Sequence, residues 1–162
     1  MTPVQAVVPY DWTAILTLIQ TEFADMDARI DPPSSMHLLT VDSIRDHAAT
    51  GEVWVVEQQN APIGCVFLSA KPDALYVGKL AVSARHRNQG LARVLIDQAE
   101  ARALALGVTF LELQTRIELT ENHAAFTRMG FVKTAESAHD GYNRPTSITM
   151  RRQVGRQYLL EP

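Results

Sequence analysis

Apolar residues recur at helical spacing over about 12–24, with Ile15, Leu18, Ile19 and Phe23 on one side and Asp11 placed to cap the start. The stretch 25–35, DMDARIDPPSS, holds two prolines and two serines and predicts a loop. A second helix is predicted over about 41–49 behind Thr40 as its cap. Then the period changes. EVWVVEQ and IGCVFLS are β-branched and apolar runs joined by the turn QNAP, the pattern of a hairpin, and ALYVGKLAV (74–82) reads as a further strand. Leu91, Val94, Leu95, Ala99 and Leu106 mark one side of a helix over about 90–106, closed by Gly107. TFLELQT (109–115) predicts a strand, and Thr120 caps a short helix with Ala124, Ala125 and Met129, closed by Gly130. FVKTAE and SITMRR predict a last antiparallel pair joined by SAHDGYNRPT. With a short first strand over 3–8, the predicted order is β-α-α-β-β-β-α-β-α-β-β, an α/β (α+β) mixed sheet in a single layer with helices packed on it.

The 162 residues fit one domain over 1–152 with a tail at 153–162. Apolar residues make up 46% of the chain, enough for a core. The net charge of −3 argues against general nucleic-acid binding, and the basic residues cluster locally, around 85–93 and 144–156. Cys65 is the one cysteine, so no internal disulfide forms, and its apolar strand predicts a buried thiol. The N-terminal residues carry neither a basic start nor a long apolar run, and no stretch approaches the roughly 18 apolar residues of a membrane span. A cytoplasmic protein without membrane or nucleic-acid partners is the expectation. The five histidines show no metal-ligand spacing, so no metal is expected.

Between the strand at 74–82 and the helix after it stands RHRNQG, residues 85–90. A strand, a basic turn and a helix start make an anion-binding arrangement, because the first helical N–H groups lack internal partners and the dipole adds positive character. Gly90 and Ala92 leave ligand oxygens room to approach the backbone. Equally, the glycine can serve the turn alone. The two best-known phosphate loops, G-x-x-x-x-G-K-[ST] and G-x-G-x-x-G, are absent.

What stands there, Arg87-Asn88-Gln89-Gly90-Leu91-Ala92, resembles the acyl-CoA loop [Arg/Gln]-x-x-Gly-x-[Gly/Ala] of the GCN5-related N-acetyltransferases (GNAT). LYVGKLAV before it, the amphipathic helix and LEL strand after it, and FTRMGF at 126–131 follow in that family's order. The resemblance implies the GNAT fold and acetyl-CoA as co-substrate. It implies that Leu80, Ala81 and Val82 offer backbone groups to the pantetheine arm and that residues 87–92 cradle the pyrophosphate. It also implies that the fourth and fifth strands splay apart around the thioester. The family's usual asparagine position holds Leu119, so Asn122 is a substitute and not a motif match.

The activity implied is acetyl transfer to a primary amine of a small molecule by direct attack on the thioester. Alternatives are a catalytically weak acyl-CoA-binding domain and a protein acetyltransferase. An alkylammonium must lose a proton before attack, which calls for a base. The family's usual tyrosine acid is Phe126 here, and its usual strand glutamate is replaced by Tyr76 and Gly78. Tyr142 is the preferred proton-handling residue, with His139 second, both in a loop that can fold over the acceptor or simply turn the chain. Tyr76, Glu112 and His123 are further candidates, Glu112 equally a paired strand residue and His123 equally a surface one. Asp25, Asp27 and Asp31, with Glu22, form an acidic run that can attract a cationic amine or serve turns and caps. Arg116 can bind an acceptor group or pair with Glu118. Relatives are often dimers, so a homodimer is an open expectation.

Overall fold

The computed structural model describes residues 1–155. Eleven elements follow in the predicted order: β1 (Val4–Gln5), α1 (Trp12–Asp27), α2 (Val41–Thr50), β2 (Glu52–Gln58), β3 (Ala61–Ala70), β4 (Ala74–Val82), α3 (Leu91–Leu106), β5 (Phe110–Arg116), α4 (Thr120–Arg128), β6 (Val132–Ser137) and β7 (Ser147–Gln153). Short 3-10 turns stand at Ser35–Leu38 and Ala84–His86. The tail expected over 153–162 falls, from residue 156 on, outside the described residues.

The strands form one sheet in the order β1-β2-β3-β4-β5-β7-β6. Every neighbouring pair is antiparallel except β4 and β5, which are parallel and joined by the α3 crossover. β7 therefore inserts between β5 and β6, and β6 is an exposed edge. Alternation sorts side chains to two faces. Val53, Val55, Cys65 and Phe67 meet α1 and α2, with Ile15, Ile19 and Ile44 fully buried against them. Val66, Leu68, Leu75, Val77, Leu111 and Leu113 meet α3 and the partly buried Phe126 and Met129 around α4.

Four boundaries differ from the sequence reading. β1 covers only Val4–Gln5 rather than 3–8, because Val8 is exposed and Pro9 has no N–H to extend the ladder. α1 runs on to Asp27, since nothing in Ala24–Met26 breaks a helix and the next proline comes only at 32. Leu119, not Thr120, occupies the N-cap of α4, with its side chain buried. Leu106 shares the α3 stripe by spacing but lies on the final turn, where the chain departs through Gly107, and is 49% exposed. The buried stripe is Leu91, Leu95, Ile96, Ala99 and Ala103, together with Glu100. The Glu100 carboxylate accepts from Arg152 Nη2 at 2.6 Å and from the Gly155 N–H at 2.8 Å, fastening the end of β7 to α3.

Candidate active site

β4 and β5 share only three register pairs, Ala74–Phe110, Leu75–Leu111 and Tyr76–Glu112. Beyond them β4 continues to Val82 and β5 to Arg116 with no pairing to each other. The strands part there. β4 also carries a bulge against β3: Phe67 pairs with Gly78 and Cys65 with Ala81, and Lys79 takes a left-handed φ of 50°.

β4 delivers the chain to the start of α3. Ser83 N–H donates to Ile63 O, and His86 Nε2 meets Gln58 Oε1 at 2.7 Å, fixing the turn to β3 and to the end of β2. Asn88 and Gly90 have φ of 63° and 77°, and Gly90 is the α3 N-cap. Among the described residues, no acceptor is bonded to the N–H groups of residues 88–93. A Cβ at Gly90 would meet nothing within 4 Å, so the chain leaves open space beside this residue. Arg87 is bound to Glu22 of α1 at 2.9 Å, and Arg85 is exposed with no ion pair among the described residues. The arrangement suits a diphosphate at the helix start and an extended polar chain along the free edge of β4.

The parted strands open into a cleft of roughly 1010 Å³, walled on one side by the segment after α1 and on another by α4 and the β6–β7 loop. Leu80, Asn122, Phe126, Arg116, His139 and Tyr142 all line it. Ala81 is buried opposite Cys65, and Val82 is half-buried at the α3 end. The Asn122 side chain has no partner among the described residues. Phe126 packs edge-on against Phe131 at 5.8 Å. Tyr142 donates its hydroxyl to Asp31 Oδ1 at 2.5 Å, which raises the phenol's pKa. His139 Nδ1 meets Thr146 Oγ1, and its Nε2 has no partner among the described residues.

The acidic run is not gathered in the cleft. Asp25 is exposed, and none of Asp25, Asp27 and Asp31 lines it. Asp27 accepts from the Ser34 N–H at 3.0 Å and pairs with His37 at 2.7 Å, and these two contacts hold its carboxyl below the usual range. Asp31 binds Tyr142 and, at 3.2 Å, Arg144. Arg116 does not pair with Glu118. Its terminal nitrogens donate to the carbonyls of Pro32 and Pro33 at 2.6 and 2.9 Å, while Glu118 accepts the Asp31 N–H.

Glu112 lines a neighbouring concavity with Lys71 and Arg151 and is bonded to both. Burial alone would raise its carboxyl, but the two cations hold it low. His123 Nε2 meets the Arg116 carbonyl at 2.9 Å, a bond internal to the β5–α4 junction. Among the lining residues that the sequence reading passes over are Lys79 and Thr115. Lys79 is a charged residue inside the apolar run LYVGKLAV, a signal present in the sequence. Thr115 is 7% exposed with its Oγ1 unbonded, and no sequence signal marks it.

Comparison with known proteins agrees with this geometry. An acetyltransferase of the GNAT family from Staphylococcus aureus superposes with a TM-score of 0.75 at 12% identity, covering 94% of this chain and 98% of that one. A GNAT family acetyltransferase from Elizabethkingia anophelis, solved with acetyl-CoA bound, superposes at 0.65 and 17% identity, covering 94% and 97%. The Danio rerio protein described as "Probable N-acetyltransferase 14" is 29% identical over 100 residues, which are 60% of this chain and 36% of that protein. The match thus spans about a third of that relative's length. Residues 12–131 match the acetyltransferase (GNAT) family, and with most of its length inside that match the chain belongs to this family.

Proposed function

We propose that the protein is an acetyl-CoA-dependent N-acetyltransferase that acetylates a primary amine of a small molecule by its direct attack on the thioester. One observation carries this reading: three features follow one another along the chain. These are the free edge of β4 from Val77 to Val82, the unbonded N–H groups of residues 88–93, and a cleft opening where β4 and β5 part. The likeness to the Elizabethkingia protein with acetyl-CoA bound supports the same donor here. Residues 87–92 would hold the pyrophosphate, the backbone of Leu80, Ala81 and Val82 the pantetheine arm, and Asn122 would reach the arm from α4. Bound there, acetyl-CoA supplies an activated acetyl group.

The chain's own residues prepare the acceptor. An ammonium must give up a proton, and His139 is best suited to take it, through its unbonded Nε2, because imidazole transfers protons near neutral pH. Tyr142 is tied to Asp31, and its raised pKa makes it a holder of the loop and a weak base. Phe126 cannot donate a proton to a leaving thiolate, and a thiolate is a tolerable leaving group without help. The segment 31–35 is roped to Arg116, Tyr142 and Arg144, which roofs the cleft and favours a small acceptor over a protein one.

Thiol release from acetyl-CoA against a pooled library of amines tests the reading. Acceptor-dependent release supports it. No release, with CoA still raising the melting temperature, favours a CoA-binding role, for which the phenylalanine at 126 speaks.

A further inference from the structure

The charge inside the cleft constrains what the acceptor carries besides its amine. Lys79 sits on the β4 bulge, in the stretch that β5 leaves unpaired. Its ammonium donates to Ser35 Oγ at 2.6 Å. Among the described residues neither Lys79 nor Arg116 forms an ion pair with a carboxylate. Lys79 and Arg116 hold the same short segment, at Ser35 and at the Pro32 and Pro33 carbonyls, and burial, then the like charge of Arg116, depress the Lys79 pKa. Each keeps unused N–H donors: the ammonium has one bond, and only two donors of the guanidinium fork are taken. The two side chains thus form a wall of cationic donors along the segment 32–35.

Such a wall is built for an anion. The phosphates of a coenzyme are not that anion, since no residue of 85–93 lines this cleft. Asp140 is the one carboxylate among the described residues that line the cleft, against the two cations Lys79 and Arg116. Asp140 adjoins His139 on the β6–β7 loop, where the amine is to lose its proton. Resting on the acetyltransferase reading, we propose that the acceptor amine also bears a carboxylate, bound by Lys79 and Arg116, so that the substrates are small amino acids or close analogues rather than polyamines.

The test reads binding without turnover. N-acetyl amino acids, their N-acetyl amides and N-acetyl aminophosphonates are presented as three pools to the full chain, with and without CoA, and binding is followed by ligand-observed NMR and titration. The carboxylates are expected to bind at least about tenfold more tightly than the amides, the scale of one lost charge-assisted hydrogen bond. Lys79→Met is expected to remove most of that margin while the melting temperature and CoA affinity hold. Lys79→Glu should shift preference to N-acetyl diamines.

Equal binding of acids and amides, binding by no pool, or preference for the phosphonates would each overturn the proposal, and the wild-type ratio decides even if a variant does not fold. A ratio that Lys79→Met leaves intact overturns it too. Transfer to amines without a carboxylate preference sinks this proposal alone. Carboxylate-selective binding with no transfer to any amine supports the anion site and sinks the acetyltransferase reading.

Discussion

Tyr142 and Asp31, 111 residues apart in sequence, meet hydroxyl to carboxylate at 2.5 Å and so tie the β6–β7 loop to the segment after α1. The bond, before the carboxylate's charge, raises the phenol's pKa and keeps its proton in place. Tyr142→Phe should loosen the roof of the cleft: a few-fold rise in KM for the acceptor, a smaller change in kcat, and an unaltered CoA affinity by calorimetry. A collapse of kcat at constant KM would return Tyr142 to the chemistry itself.

His139→Ala is expected to behave in the opposite way. Loss of a general base costs about 10²–10⁴ in rate, so kcat should fall on that scale at neutral pH with little change in KM. A variant as fast as the parent enzyme would remove His139 from the mechanism.

Gly90→Glu should abolish CoA binding in calorimetry, because it sets bulk and negative charge before the unbonded N–H groups of residues 88–93. Gly90→Ala is the milder case. Its Cβ meets no neighbour, so the cost lies in the φ of 77°, about 1–2 kcal/mol of backbone strain. Full-strength CoA binding by the glutamate variant would mean the phosphates lie elsewhere.

Glu100→Leu leaves Arg152 and the Gly155 N–H without their buried acceptor. Breaking a buried pair from one side costs about 3–5 kcal/mol, to be read as a lowered midpoint in urea unfolding. Adding Arg152→Met should recover part of the loss, since no charge is then stranded.

Burial, opposed only by the Ala81 backbone contact, pushes the Cys65 thiol from an ordinary 9.0 up to about 12. The native state therefore keeps a proton that the unfolded chain releases above pH 9. A folded-state pKa raised in this way stabilises below the unfolded value and loses that stability as pH rises toward 12. The slope is up to about 1.4 kcal/mol per pH unit. Melting curves between pH 8 and pH 10.5, taken as about the range where the loss begins, should fall more steeply for the parent protein than for Cys65→Ala, and parallel curves would contradict the burial argument.

The element order was readable in advance because period, caps and glycines agreed: Thr40 caps α2, and Gly107 ends α3 with a φ of 74°. The insertion of β7 between β5 and β6 was not, since strand order depends on partners distant in sequence. The loop at Gly90 was readable because backbone conformation at a helix start leaves a local mark. The acceptor side was not. The aspartates at 27 and 31 look alike in sequence, yet their carboxylates are claimed by Ser34, His37, Tyr142 and Arg144, and only tertiary contacts decide that. Lys79 and Arg116 reach the cleft from two strands that diverge, a placement no spacing along one strand encodes.

The three register pairs joining β4 to β5 have a last consequence. They are the narrow waist between two leaves of the sheet, and a ligand laid in the opening splints both leaves at once. Any ligand that binds only the folded chain stabilises it by RT ln(1 + [L]/Kd), about 2.7 kcal/mol at a hundredfold excess over Kd. Supply of that ligand in the cell would then govern how long each molecule survives proteolysis as well as how fast it works.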